Sequence, residues 1–233
     1  SGGVTYRREN IEIDDFDTNV SADLKAEEGK NTLSLLGFNV ATDWRDSSVN
    51  PTKGLYLSGG IDFAGGYLGG DKDFYRLSTR DSYSIPFKFD SVLEFRLRAG
   101  IQDAYGDSQK VPIFERFYAG GERTIRGYDE RAVGPVDPTT NDPIGGESML
   151  VGNIEYTIPV INFVKLAGFV DSGNVWSKMS DIASGGFKTG AGFGLRVKTP
   201  IGPVNLDYGF PFDKVPGDQS KTGKFYFSVS RGF

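Results

Sequence analysis

The chain contains no cysteine and no histidine. Those two absences remove thiolate nucleophiles, disulfides, the Ser-His-Asp triad and most zinc sites. No apolar run approaches the roughly 20 residues that a membrane-spanning helix needs. A net charge of −5 gives no electrostatic reason to expect nucleic acid as a partner. A hydrophobic fraction of 38% and a mean hydropathy of −0.33 would by themselves suit a soluble protein. What the sequence has in abundance points elsewhere. It carries 32 Gly, 18 Phe and 11 Tyr in 233 residues, a mixture that fits a sheet with many tight turns and aromatic belts. A transmembrane barrel strand needs only about ten residues with every second one apolar, a pattern that hydropathy windows miss. No signal peptide is visible at Ser1, so a processed N-terminus or a boundary is expected there.

Period-2 alternation runs through almost the whole chain. Leu93, Phe95, Leu97, Ala99 and Ile101 alternate with Glu94, Arg96, Arg98 and Gly100. Ala191, Phe193, Leu195 and Val197 alternate with Gly192, Gly194, Arg196 and Lys198. Val204, Leu206, Tyr208 and Phe210 stand against Asn205, Asp207 and Gly209. The pattern predicts about ten strands, near 4–13, 32–45, 54–65, 73–86, 91–104, 148–159, 165–176, 188–199, 203–212 and 223–233, and nothing reads as a helix. Short turns alternate with longer polar loops, the longest over about 105–147, as in an outer-membrane barrel. A soluble β-sandwich also alternates, but its strands are usually about five or six residues long. The dense mixture of Arg76, Arg80, Arg96, Arg98, Asp62, Glu94 and Asp207 on the polar faces suits a wet lumen instead.

Some features read more simply. The pairs Asp14–Asp15 and Glu27–Glu28 are expected to be solvated loop charges, and segment 129–147 is expected to be exposed. The Gly-rich stretch 65–70 lies between two strands with no helix after it, which argues against a phosphate loop. No residue set reads as a nucleophile and base, a metal cluster or a cofactor site, so no enzyme activity, metal or cofactor is expected.

The longest connection contains Phe117-Tyr118-Ala119-Gly120-Gly121 followed by Ile125-Arg126-Gly127-Tyr128. Downstream come Asn153-Ile154-Glu155-Tyr156 and Phe169-Val170-Asp171-Ser172-Gly173, then the glycine-rich run Gly190–Phe210, and a last strand with Phe225, Phe227, Val229 and terminal Phe233. In this order the elements resemble the Omp85 superfamily of outer-membrane barrels, its BamA-like branch in particular. The resemblance covers essentially residues 1–233. It implies an all-β, antiparallel transmembrane β-barrel, integral to the bacterial outer membrane. The ten strands would correspond to the C-terminal strands of a sixteen-stranded barrel, with the first six and the periplasmic POTRA domains not in this sequence.

The resemblance also implies roles. Ile125, Arg126, Gly127 and Tyr128 would form a loop latch whose arginine meets Glu155 and Asp171 on the inner wall, both of which strand parity allows to face inward. Phe225, Phe227, Val229 and Phe233 would form the C-terminal signal strand, with Arg231 on the same face. The implied function is assembly of client β-barrels without covalent chemistry, in contact with outer-membrane lipid, unfolded clients and, through periplasmic domains, accessory lipoproteins. The alternative is a two-partner-secretion or TamA-type transporter for an unfolded protein. Ten strands alone leave two edges, so closure into a smaller barrel or edge pairing with another copy is expected for the isolated chain.

Overall fold

The computed structural model describes residues 1–14, 20–200, 202–216 and 222–229. Ten strands form one sheet: β1 (Gly2–Ile13), β2 (Gly29–Asp43), β3 (Gly54–Ala64), β4 (Phe74–Pro86), β5 (Val92–Ala104), β6 (Ser148–Ile161), β7 (Val164–Trp176), β8 (Lys188–Thr199), β9 (Gly202–Pro211) and β10 (Lys224–Val229). Each strand pairs antiparallel with its neighbour in sequence, in the order β1 to β10. The expected strands all appear, most within three residues of their expected ends. One helical turn, α1 (Ala22–Lys25), was not expected; Ser21 caps it by accepting the Leu24 N–H.

Alternation sets the two faces. On the convex face Phe95, Leu97, Ile154, Val170, Phe193, Leu195, Phe225 and Phe227 are exposed, as a wall in lipid requires. On the concave face lie Arg76, Glu94, Arg96, Arg98, Glu155, Asp171, Arg196 and Asp207. Three of the four turns at one end, β4–β5, β6–β7 and β8–β9, are short. In the β4–β5 turn Phe89 and Asp90 take φ of 59° and 55°, the left-handed pair that a primed hairpin uses. Trp44, Phe87, Phe89 and Phe163 project from that end, in the place of an interfacial aromatic belt.

The packed interior lies between the concave face and the long loop, not between two sheets. Ile125, Tyr128, Ala119 and Val133 of the loop bury against Val151 and Val175 of the wall and Val215. A second cluster joins Leu33, Leu35, Ala64 and Phe74 to Val111. Segment 129–147 is therefore not simply exposed. Val133 is buried in the first cluster, and the buried Asp137 carboxylate accepts from the N–H groups of Thr139, Thr140 and Ala22. Nor is Glu27 solvated, because it is buried and paired with Lys72 from the next loop. Both surprises come from loop-on-loop packing, which has no period to read.

Among the described residues β1 and β10 do not pair with each other, so closure, one of the two expected outcomes, does not occur and the sheet is an open arc. The loop inside the arc touches both ends of it. Glu115 pairs with Arg7 of β1 and with Arg76 of β4, and Gly127–Tyr128 contact Tyr226 of β10. The bulk of this loop opposes the tighter curvature that a ten-stranded closure would need.

Candidate functional site

Arg126 is the centre of the loop's contact with the wall. Its side chain is 4% exposed, and Asp171 on β7 is fully buried. Nε donates to Asp171 Oδ2 at 2.7 Å and Nη2 to Oδ1 at 2.9 Å, a bidentate fork, while the Arg126 backbone N–H donates to Oδ2 at 3.0 Å. Nη1 reaches Glu155 Oε2 on β6 at 2.8 Å and Asp207 Oδ2 on β9 at 3.3 Å. The guanidinium carbon lies 3.4 Å from the centroid of the Phe169 ring, two residues before Asp171 on the same strand face. The two acids expected to meet Arg126 both do so.

Arg196 on β8 completes the arrangement. It donates to Glu155 from Nε at 2.8 Å and Nη2 at 2.7 Å, and to Asp207 Oδ1 from Nη1 at 2.7 Å. Arg96 adds a longer bond to Glu155 at 3.3 Å. Three guanidiniums thus meet three carboxylates, so the charges balance within a nearly dry cluster. Arg196 faces inward, and its side chain is only 15% exposed because the network covers it.

The wall leaves room for this loop by omitting side chains. A Cβ at Gly190 would stand 1.9 Å from the Arg126 carbonyl oxygen, and one at Gly209 would stand 2.7 Å from the Gly127 nitrogen. At Gly194, opposite Asp207 in register, a Cβ would overlap the Asp207 carboxylate at 1.9 Å. Gly127 itself takes φ of +102°, in the left-handed region, with the backbone of Phe210 and Pro211 within 3 Å of any added Cβ. The motif lies in a glycine-lined channel of β8 and β9.

The rest of the motif is anchored around this channel. Ile125 is fully buried. The Tyr128 hydroxyl donates to the Thr189 carbonyl at 2.8 Å and accepts from the Asp213 N–H at 3.2 Å. Tyr226 of β10 accepts the Gly127 N–H and donates to the Tyr128 carbonyl, each at 2.8 Å. Phe225, Phe227 and Val229 lie on the opposite, exposed face of that strand. Phe233 and Arg231 lie outside the described residues.

Asp207, Arg196, Phe169 and Tyr226 were not among the expected partners of the motif. Parity places all four on the inner face. The alternating Gly190, Gly192 and Gly194 are the signal that marks where a backbone lies against the wall. The geometry joins residues 125–128 to the wall at Glu155, Asp171, Asp207 and Thr189. What it does is hold a loop in place.

Comparison with known proteins covers the whole chain. The model of the Omp85 superfamily domain matches residues 1–233. The outer membrane protein assembly factor BamA of Nitratidesulfovibrio vulgaris is 33% identical over 99% of this chain and 30% of its own length. A SAM50-like protein of Drosophila melanogaster is 26% identical over 88% of this chain and 46% of its own. The crystal structure of BamA from Haemophilus ducreyi lacking POTRA domains 1–3 superposes with a TM-score of 0.72 at 23% identity, over 86% of this chain and 43% of that one. The chain therefore spans less than half the length of each of these relatives.

Proposed function

The chain belongs to the Omp85 superfamily, and from that premise we propose that it forms the C-terminal wall of an outer-membrane barrel that folds and inserts client β-barrel proteins. Its work on this reading is conformational and needs no cofactor. The observation that carries the proposal is the Arg126 cluster, which fixes the long loop to β6, β7, β8 and β9 at once. Ile125, Arg126, Gly127 and Tyr128 are the latch; Glu155 and Asp171 are its seats, joined by Asp207.

A latched loop supports assembly by holding the terminal strand in place. Among the described residues β10 pairs with β9 at six positions, and Tyr226 ties it to the latch. An edge strand offers unpaired N–H and C=O groups onto which a client strand can add, while the outward Phe225, Phe227 and Val229 face lipid. Clients and outer-membrane lipid are the partners of this surface; accessory lipoproteins would bind periplasmic domains beyond this sequence.

The test is reconstitution of the full-length protein in liposomes with a urea-denatured client barrel, following the protease-protected client. The wild-type protein should exceed lipid alone, and Arg126→Ala should lose most of that excess while its own barrel stays folded. Insertion no faster than lipid alone would refute the assembly function, and full activity in Arg126→Ala would refute the role of the latch.

A further inference from the structure

Two arginines of the concave face, Arg80 and Arg98, have no carboxylate within ion-pair distance among the described residues. Arg80 on β4 and Arg98 on β5 are register partners. Side chains directly opposed in an antiparallel pair have Cβ atoms about 4.5–5.5 Å apart, and like charges placed so repel. Neighbouring lumen arginines are all provided for: Arg7 and Arg76 by Glu115, Arg196 by Glu155 and Asp207. The guanidiniums of Arg80 and Arg98 make no hydrogen bond or ion pair with any described residue.

Two further observations converge on the same place. Arg96, two positions from Arg98 on the same face, has a buried Nε that donates to nothing, although Glu94 lies 4.0 Å away. The positive charges of Arg80, Arg96 and Arg123 all bear on Arg98, and the negative charge of Asp171 opposes them only in part. Arg80, Arg96 and Arg98 all border one cavity of about 1320 Å³ on the concave side. A chain of net charge −5 thus gathers cations at one point of its lumen wall.

We propose that Arg80, Arg98 and Arg96 form a binding site for a phosphate-type oxyanion, carried either by a soluble phosphate or by a lipid headgroup. A planar carboxylate satisfies one guanidinium fork in its own plane. Arg80 and Arg98 leave adjacent strands at one register position, and with the free Nε of Arg96 they offer donors from three directions, which suits the tetrahedral array of oxygens that phosphate presents. The bound anion would also offset the repulsion between Arg80 and Arg98. The site adjoins the latch, because Arg96 also donates to Glu155, but it does not depend on the assembly function.

The test uses the full-length protein in detergent and in nanodiscs, with radiolabelled inorganic phosphate in equilibrium dialysis at constant ionic strength. One phosphate per chain is expected, with affinity lowered about tenfold or more in Arg80→Gln/Arg98→Gln. Arg98→Lys keeps the charge without the fork and should fall between; it guards against misreading a disturbed wall, as does the heat-modifiable gel band of each variant. In nanodiscs containing a lipid phosphate monoester, reduced phosphate uptake relative to phosphatidylcholine nanodiscs would assign the site to a headgroup, and equal uptake to a soluble phosphate. Uptake that is absent, unchanged in the double variant, or abolished by equimolar chloride overturns the proposal. Displacement by an oligoglutamate peptide at the same concentration also overturns it, in favour of an acidic protein segment.

Discussion

Removing Arg126 should strand one carboxylate and spare another, and the difference is measurable. In Arg126→Ala, Asp171 keeps only the backbone N–H of residue 126, since its other two bonds come from the lost guanidinium. Glu155 keeps both bonds from Arg196 and the longer one from Arg96. Breaking a buried pair on one side costs about 3–5 kcal/mol, most of it the uncompensated charge. Asp171→Asn in the Arg126→Ala background removes that charge and should recover about 1–3 kcal/mol. Glu155→Gln in the same background should recover nothing and cost more, because it deprives Arg196 of its main partner. The assay is urea titration of the full-length protein in lipid, scored by the heat-modifiable band and by protease cutting within residues 105–147. Rescue by Glu155→Gln, or none by Asp171→Asn, would refute the division of labour drawn from these distances.

Tyr226→Phe removes an acceptor and a donor at once and should cost about 1–3 kcal/mol in docking of the loop on β10. Faster hydrogen exchange at the Gly127 amide is the readout. Gly190→Ala should push the loop off the wall, because its Cβ would meet the Arg126 carbonyl at 1.9 Å, whereas Gly168→Ala, with nothing within 4 Å, should be silent in the same protease assay. Asp23, in α1 at the loop end, is opposed by burial but held net below its usual carboxylate range by hydrogen bonds from Arg116 and Lys110. A depressed carboxylate stabilises above its unfolded pKa of about 3.9 and loses that contribution as pH falls through the lower folded value. Exchange protection of residues 20–27 should therefore hold at neutral pH and drop only in strong acid. Nitroxides at Phe95, Phe193, Phe225 and Phe227 should be relaxed by lipid-soluble oxygen, and one at Arg98 by a water-soluble nickel chelate.

The strands were legible because a wall between lipid and water imposes a strict period of two, and turns of Asn, Pro, Gly and Asp punctuate it. The meeting of Arg126 with Glu155 and Asp171 was legible only through the resemblance of Ile125-Arg126-Gly127-Tyr128 to a known family. Parity then placed the acids on the correct face. Parity tells which face a residue occupies but not its height along the strand, so Arg196 and Asp207 were seen as inward without being seen as partners. Tyr226 stayed hidden because β10 was read for its apolar face, and its hydroxyl acquires meaning only from a loop about a hundred residues earlier. The burial of Val133, Asp137 and Glu27 depends on loops packing on loops, where sequence carries no repeat.

The long loop grips β1 through Arg7 and β10 through Tyr226, with β4, β6, β7, β8 and β9 held between. A sheet left to its own twist chooses its own radius; this one is braced from within, as an arch is by its centring. The span between the outer edges of β1 and β10 is then constrained by the loop as well as by the strands between them. Whatever occupies that span, whether further strands of the wall or a guest, meets two rims whose distance apart was fixed before it arrived. Letting go of Arg126 would free one rim from the other, and the width of the opening would become a variable.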